Sequence, residues 1–243
     1  MPAQPIIQVR NLHYSYPDGN VALAGVDFQL EPGETVAMLG ANGSGKTTFL
    51  LHLLGLVEGR SEGEVIVCGT PVEKRTFARV RRKIGILFQD SDDQLFMPTV
   101  EEDVAFGPLN MGLAADEVRS RVSESLRQVG MEHVAGRPPY HLSAGEKRRV
   151  ALAGVLAMNP EIILLDEPST FLDPPARSSL VEILHSLDQA KLVVTHDLTL
   201  ARQLASRAVY FEHGKITSEG DIEQVIAAAG WDAERRPPSQ TEK

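Results

Sequence analysis

The chain carries Gly40-Ala41-Asn42-Gly43-Ser44-Gly45-Lys46-Thr47, which satisfies the spacing GxxxxGK[ST], with Thr48 directly behind it. Glycines in such a loop let successive backbone N–H groups turn inward onto phosphate oxygens with no Cβ in the way. A helix starting at the end of the loop adds the positive end of its dipole. Lys46 supplies a point charge for the β- and γ-phosphates of a nucleotide, and Thr47 a hydroxyl for Mg²⁺. A second constellation is Ile162-Ile163-Leu164-Leu165-Asp166-Glu167, four apolar residues that deliver two carboxylates. If the run is a central strand, both acids emerge at its carboxyl end, where α/β sheets hold their ligands. Asp166 would then hold Mg²⁺, directly or through water, and Glu167 would polarise an attacking water. A third is Leu142-Ser143-Ala144-Gly145-Glu146, followed by Lys147, Arg148 and Arg149. Ser143 and Glu146 have the S-x-x-E spacing of a capping box, so a helix should start there, and a start built of small residues is also an anion site.

The elements needed to position these groups can be read from periodicity. Ile7 and Val9, Tyr14 and Tyr16, and Val26, Phe28 and Leu30 alternate as strands do. Pro32-Gly33 turns the chain into a short buried strand, Thr35 to Leu39, and the phosphate loop leads on to a helix from about Thr47 to Leu54. Further strands are expected at Glu64 to Val67, Ile84 to Phe88, Ile162 to Leu165 and Leu192 to Thr195, with a helix begun by Asp173 and Pro174 between the last two. From about residue 91 to 158 the pattern is helical, and Val118, Val122, Leu126 and Val129 form one apolar stripe. The predicted fold is α/β: an N-terminal antiparallel β subdomain, a parallel-sheet core and a helical subdomain inserted within that core. Residues 4–229 are expected to form one domain and 230–243 a disordered tail.

Composition narrows the function. With 243 residues and 42% hydrophobic content the chain can build a proper core, and its net charge of -9 argues against nucleic acid as a partner. The single cysteine, Cys68, excludes an internal disulfide. No stretch approaches the ~18 apolar residues of a membrane span and no secretory signal is visible, so any membrane role is expected to come through a partner.

The segment at Ser143 resembles the LSGGQ signature of ABC ATPases, and its place between phosphate loop and acidic strand matches that family. The resemblance covers nearly the whole chain and implies a P-loop NTPase core hydrolysing ATP with Mg²⁺. It implies that Gln89 senses Mg²⁺ and the attacking water, that His196 contacts the γ-phosphate, that Asp173 links two active sites and that adenine stacks on Tyr16. It also implies a head-to-tail pair of ATPase subunits, in which Ser143 and Gly145 act on the nucleotide of the other subunit. Two positions depart from the family pattern: Ala144 replaces the first signature glycine, which should be tolerated, and Phe171 stands where a small residue is usual.

The run Asp92-Asp93-Gln94-Leu95-Phe96, followed by Pro98-Thr99-Val100-Glu101-Glu102-Asp103-Val104-Ala105-Phe106-Gly107-Pro108, resembles energy-coupling-factor transporter ATPases, particularly the cobalt/nickel type. Thr99 and Glu102 form a second capping box, whereas Asp92, Asp93, Leu95, Phe96 and Met97 are expected to be exposed for an integral membrane partner. The implied location is the cytoplasmic face of the cell membrane, and the seven scattered histidines suggest no cargo site on this chain. The chain is also expected to lack the longer carboxyl-terminal extension of many vitamin-type relatives, an expectation that favours the metal-type branch. The alternatives are the same engine for vitamin uptake and a soluble, non-transport ABC ATPase. The latter usually carries coiled-coil insertions, a second cassette or basic linkers, none of which is visible.

Overall fold

The computed structural model describes residues 4–230. The tail expected from 230 onward lies, beyond Gly230, outside the described residues.

The chain opens with the antiparallel pair β1 (Ile7–Ser15) and β2 (Val21–Leu30), in which Ile7 faces Leu30 and Val9 faces Phe28. Next come β3 (Thr35–Leu39), the phosphate loop and α1 (Lys46–Leu53). The strand β4 (Arg60–Val67) returns to pair with β1, and β5 (Thr70–Pro71) closes a four-stranded antiparallel sheet in the order β2-β1-β4-β5. A short α2 (Phe77–Arg81) leads to β6 (Ile84–Leu87). The helical subdomain follows as α3 (Val100–Asn110), α4 (Ala115–Gln128) and α5 (Ala144–Ala157). The chain then completes the core with β7 (Ile162–Asp166), α6 (Pro174–His185), β8 (Ala190–Val194), α7 (Leu198–Leu204), β9 (Arg207–Glu212), β10 (Lys215–Asp221) and α8 (Ile222–Ala228).

The second sheet runs β10-β9-β3-β8-β7-β6, parallel except for the edge strand β10. Strand alternation divides its side chains between two faces. Val36, Met38, Ile162, Leu164, Leu192 and Val194 join the antiparallel sheet and α1 in one core. Ile163, Leu165 and Val193 point the other way, into a core shared with the helical subdomain and α6, while Ala37 and Leu39 pack with α7 and α8. The apolar stripe of α4 is buried as its spacing predicts, with Val129 at the helix end.

Register places the chemistry. Met38 and Asp166 both pair with Val194, and Leu87 pairs with Leu165. The segments leaving β3, β8, β7 and β6 therefore emerge side by side at one sheet edge. One strand is shorter than predicted: β6 stops at Leu87 because the Phe88 N–H donates to the Gln94 side chain at 2.9 Å.

Candidate nucleotide-hydrolysis site

The phosphate loop owes its shape to glycines at two crowded positions. Gly40 has φ 151° and a Cβ there would lie 2.2 Å from the Phe211 carbonyl oxygen, while Gly45 has φ 110° and a Cβ 2.6 Å from the Ala22 oxygen. Gly45 caps α1 with no side chain of its own, leaving the first-turn N–H groups to a ligand. The Lys46 ammonium is buried and donates to the carbonyls of Gly40 and Ala41, both at 2.8 Å. Burial lowers its pKa, opposed by the nearby charges of Glu167 and Asp166. Thr47 Oγ1 donates to Asp166 Oδ2 at 3.0 Å, and the Tyr16 hydroxyl lies 2.8 Å from Thr48 Oγ1.

Asp166 is the last residue of β7, and burial raises its pKa against the opposing hydrogen bond from Thr47. Glu167 follows at φ 47°, a left-handed conformation that a residue with a Cβ adopts at a cost. That turn leaves its N–H donating to the Val194 carbonyl at 2.8 Å. Its Oε2 accepts from Thr195 Oγ1 at 3.2 Å and from the His196 N–H at 3.4 Å, and lies 2.9 Å from His196 Nδ1. The Glu167 side chain is 9% exposed and the His196 ring 61%, so the carboxylate is anchored while the imidazole reaches solvent. Tyr16, Asn42, Gly43, Ser44, Gly45, Lys46, Thr47, Thr48, Gln89, Asp166, Glu167 and His196 all line one cleft of about 650 Å³. Gly40 contributes from behind, through the carbonyl that holds Lys46.

A family model described as ABC transporter matches residues 23–170. The chain belongs to the ABC transporter ATPase family. The energy-coupling factor transporter ATP-binding protein EcfA of Methanocaldococcus jannaschii is 44% identical over 227 residues, covering 91% of this chain and 81% of that one. Among solved structures, CbiO1 of Clostridium perfringens, part of the ABC transporter complex CbiONQ, superposes with TM-score 0.84 at 35% identity, covering 93% of this chain and 92% of that one. The ATP-binding cassette MJ0796, in a dimeric post-hydrolysis state bound to ADP and Pi, superposes with TM-score 0.77 at 31% identity, covering 89% and 98%. This ABC ATPase therefore binds and hydrolyses ATP. Among the described residues no helix is long and apolar enough to cross a membrane.

Ser143, Gly145 and Asp173 stand apart from the ATPase's cleft. They line a separate cavity of about 470 Å³ with Ala144, Glu146 and Phe171. Ser143 and Glu146 form the expected capping box on α5, and the Ser143 N–H and hydroxyl keep the Glu146 carboxyl below its ordinary pKa. Gly145 is where α5 meets α6, since a Cβ there would lie 2.7 Å from Ala176 Cβ. Asp173 caps α6, accepting from the Ala176 N–H at 2.9 Å. Ala144 is exposed. Phe171 is 79% exposed and has φ 65°.

Beyond Gln89 the structure corrects the sequence reading. Asp92 and Asp93 are exposed as expected, but Asp92 is also ion-paired with Lys147 at 2.6 Å. Leu95 packs partly into the helical-subdomain core, and Met97 is half-buried rather than exposed. Phe96, 60% exposed, and Phe106 meet edge to face at 4.9 Å. Three residues escaped the sequence reading. Gln94 bridges the Phe88 N–H and the Ile86 carbonyl. Asp103 Oδ1 accepts from the Phe96 and Met97 N–H groups at 3.0 Å, and burial raises its pKa. Arg148 is 2% exposed and donates to the carbonyls of Phe88 and Gln89. Its only signal in the sequence was its place in the Lys147-Arg148-Arg149 run.

Proposed function

We propose that this chain, with residues 4–229 as its ATPase unit and 91–158 as the helical subdomain, energises uptake by an energy-coupling-factor transporter whose cargo is cobalt or nickel. It works head to tail with a second ATPase subunit, identical or homologous, at the cytoplasmic face of the cell membrane beneath an integral membrane partner. The observation that carries the reading is the single cleft that gathers Lys46, Thr47, Gln89, Asp166, Glu167 and His196 from four adjacent strand ends.

The donor set fits Mg²⁺. Thr47 Oγ1 and Asp166 Oδ2 are hard oxygens already 3.0 Å apart, and Gln89 lines the same cleft. Mg²⁺ asks little more of a protein when phosphates complete its shell. When bound, the ion supplies positive charge to the β- and γ-phosphate oxygens. Lys46 exchanges two carbonyls for phosphate, giving its buried ammonium an anionic partner. With Oε2 held by Thr195 and His196, Glu167 presents Oε1 to the attacking water and takes its proton as the oxygen bonds to the γ-phosphorus and ADP leaves. His196 reaches the γ-phosphate, and Tyr16, fixed by Thr48, offers its ring to adenine. Ser143 and Gly145, in the second cavity, serve the nucleotide of the neighbouring subunit, and Asp173 joins the two sites.

The partner reading is supported by a groove of about 420 Å³ beside Gln89, lined by Leu56, Phe88, Phe96, Phe106 and Met158 with Asp93 at hand. Its chemistry suits a helix with an apolar face and a basic residue. The cargo rests on the resemblance to the cobalt/nickel type and on the likeness to CbiO1. The test is to purify the chain with its integral partners from the native membrane and measure ATP-driven uptake in liposomes. Cobalt or nickel uptake is expected. Uptake of a vitamin alone would replace the cargo, and ATPase activity with no integral partner would favour the non-transport reading.

A further inference from the structure

Arg148 sits one turn into α5, the helix that Ser143 begins, and its guanidinium is buried at the carboxyl end of β6. Two of its nitrogens donate to consecutive carbonyls, Nη1 to Phe88 and Nη2 to Gln89, each at 2.5 Å. Among the described residues no carboxylate is hydrogen-bonded to it, the charge of Asp90 acts on it only from nearby, and Nε has no partner. A guanidinium buried in this way is costly, and an apolar side chain would fill a purely structural position with less penalty. The paired geometry is one that the planar fork of arginine makes and lysine cannot. The preceding residue, Lys147, grips Asp92 from the same helix, so two adjacent side chains of α5 clamp the segment from Phe88 to Asp92.

We infer that Arg148 is a positioning residue that makes the Gln89 segment a rigid extension of the signature helix, so that engagement of Ser143 by the neighbouring subunit's nucleotide sets the position of Gln89 in this subunit's cleft. The inference rests on the roles proposed above for Gln89 and Ser143. Each active site thereby learns the state of the other through one side chain. Two rigidly joined groups move together, and a bidentate tie between a helix and a loop backbone is the kind of contact that transmits such a shift.

The test is a double-mutant cycle in the full-length chain with Arg148→Met and Gln89→Ala, read by steady-state ATPase activity and ATP affinity. Arg148→Met is expected to lower kcat by about tenfold, because small misplacements of site groups have large effects on rate. ATP affinity should stay within about twofold, and the Hill coefficient for ATP should fall toward 1. In the Gln89→Ala background the same substitution should cost less than about twofold. An equal loss in both backgrounds overturns the inference, since Arg148 would then act through packing alone. If Gln89→Ala itself leaves kcat unchanged, the reading of Gln89 fails first and the inference falls with it. Should Arg148→Met fail to fold by circular dichroism, Arg148→Lys replaces it in the cycle under the same criteria. It keeps the charge and the aliphatic stem but loses the paired bond.

Discussion

Asp166 and Glu167 are neighbours in sequence with opposite constraints. Asp166 ends a strand, and burial outweighs the hydrogen bond from Thr47, so its pKa lies above the ordinary aspartate range. A carboxyl whose folded pKa exceeds its unfolded value contributes stability only while protonated, and that contribution is lost as pH rises through the folded pKa. In the nucleotide-free protein Asp166→Asn should therefore raise Tm at neutral pH by roughly a few degrees. The Asn oxygen still accepts from Thr47. The advantage should vanish below about pH 4, where both side chains are neutral. ATP with Mg²⁺ should stabilise the wild type far more than the variant. Thermal denaturation across pH with and without nucleotide reads both effects, and a variant that is less stable at pH 7 would remove the argument from burial. Glu167 is held instead by Thr195 and His196 in a strained left-handed turn. Glu167→Gln should keep ATP affinity while lowering single-turnover hydrolysis by at least about a hundredfold, the usual scale for losing a general base.

At the scale of elements, α5 joins the functional regions, and the two small residues at its start should respond differently to substitution. A Cβ on Gly145 would stand 2.7 Å from Ala176 Cβ, so Gly145→Ala must push α5 away from α6 at a cost of about 1–3 kcal/mol. The methyl of Ala144 is exposed, so Ala144→Gly should cost no more than about 1 kcal/mol and leave ATPase activity within about twofold. Urea denaturation of the two variants compares them directly, and equal costs would contradict the packing described. The same helix shows what a sequence can disclose. Ser143 and Glu146 lie three apart, as do Thr99 and Glu102, and both capping boxes form as their spacing predicts. The phosphate loop and the Asp166-Glu167 pair, which line one cleft, were legible as candidates for the same reason, because each is a run of consecutive residues. Arg148 was not, because the carbonyls it binds lie 60 and 59 residues earlier, and a carbonyl leaves no trace in residue identity. Gln94 and Asp103 escaped likewise, their partners being backbone groups brought near only by a turn. The end of β6 was misjudged by one residue because a side chain, not a strand, satisfies Phe88.

At the scale of the whole molecule, the two neighbouring acids after Gln89 should behave differently, although the sequence offers them as one cluster. Asp92 belongs to the internal clamp through Lys147, whereas Asp93 lines the apolar groove with Phe96 and Phe106. A membrane partner seated in that groove would meet the charge of Asp93 at its rim. Rim charges steer and orient association more than they hold it, but juxtaposing like charges costs several kcal/mol. Asp93→Lys should therefore abolish stable assembly with the integral partner while basal ATPase activity of the isolated chain stays within about twofold. Asp92→Lys should act on the engine itself. It sets two cations side by side and removes one of the two grips of α5 on the Gln89 segment, leaving only that of Arg148, so basal hydrolysis falls whether or not a membrane protein is present. Co-purification and basal ATPase rates, measured on both variants, separate docking from catalysis. If Asp93→Lys assembles normally while Phe96→Ala does not, the groove binds through its apolar face alone. If both assemble normally, the partner docks elsewhere, and the exposed Phe96–Phe106 pair has another occupant.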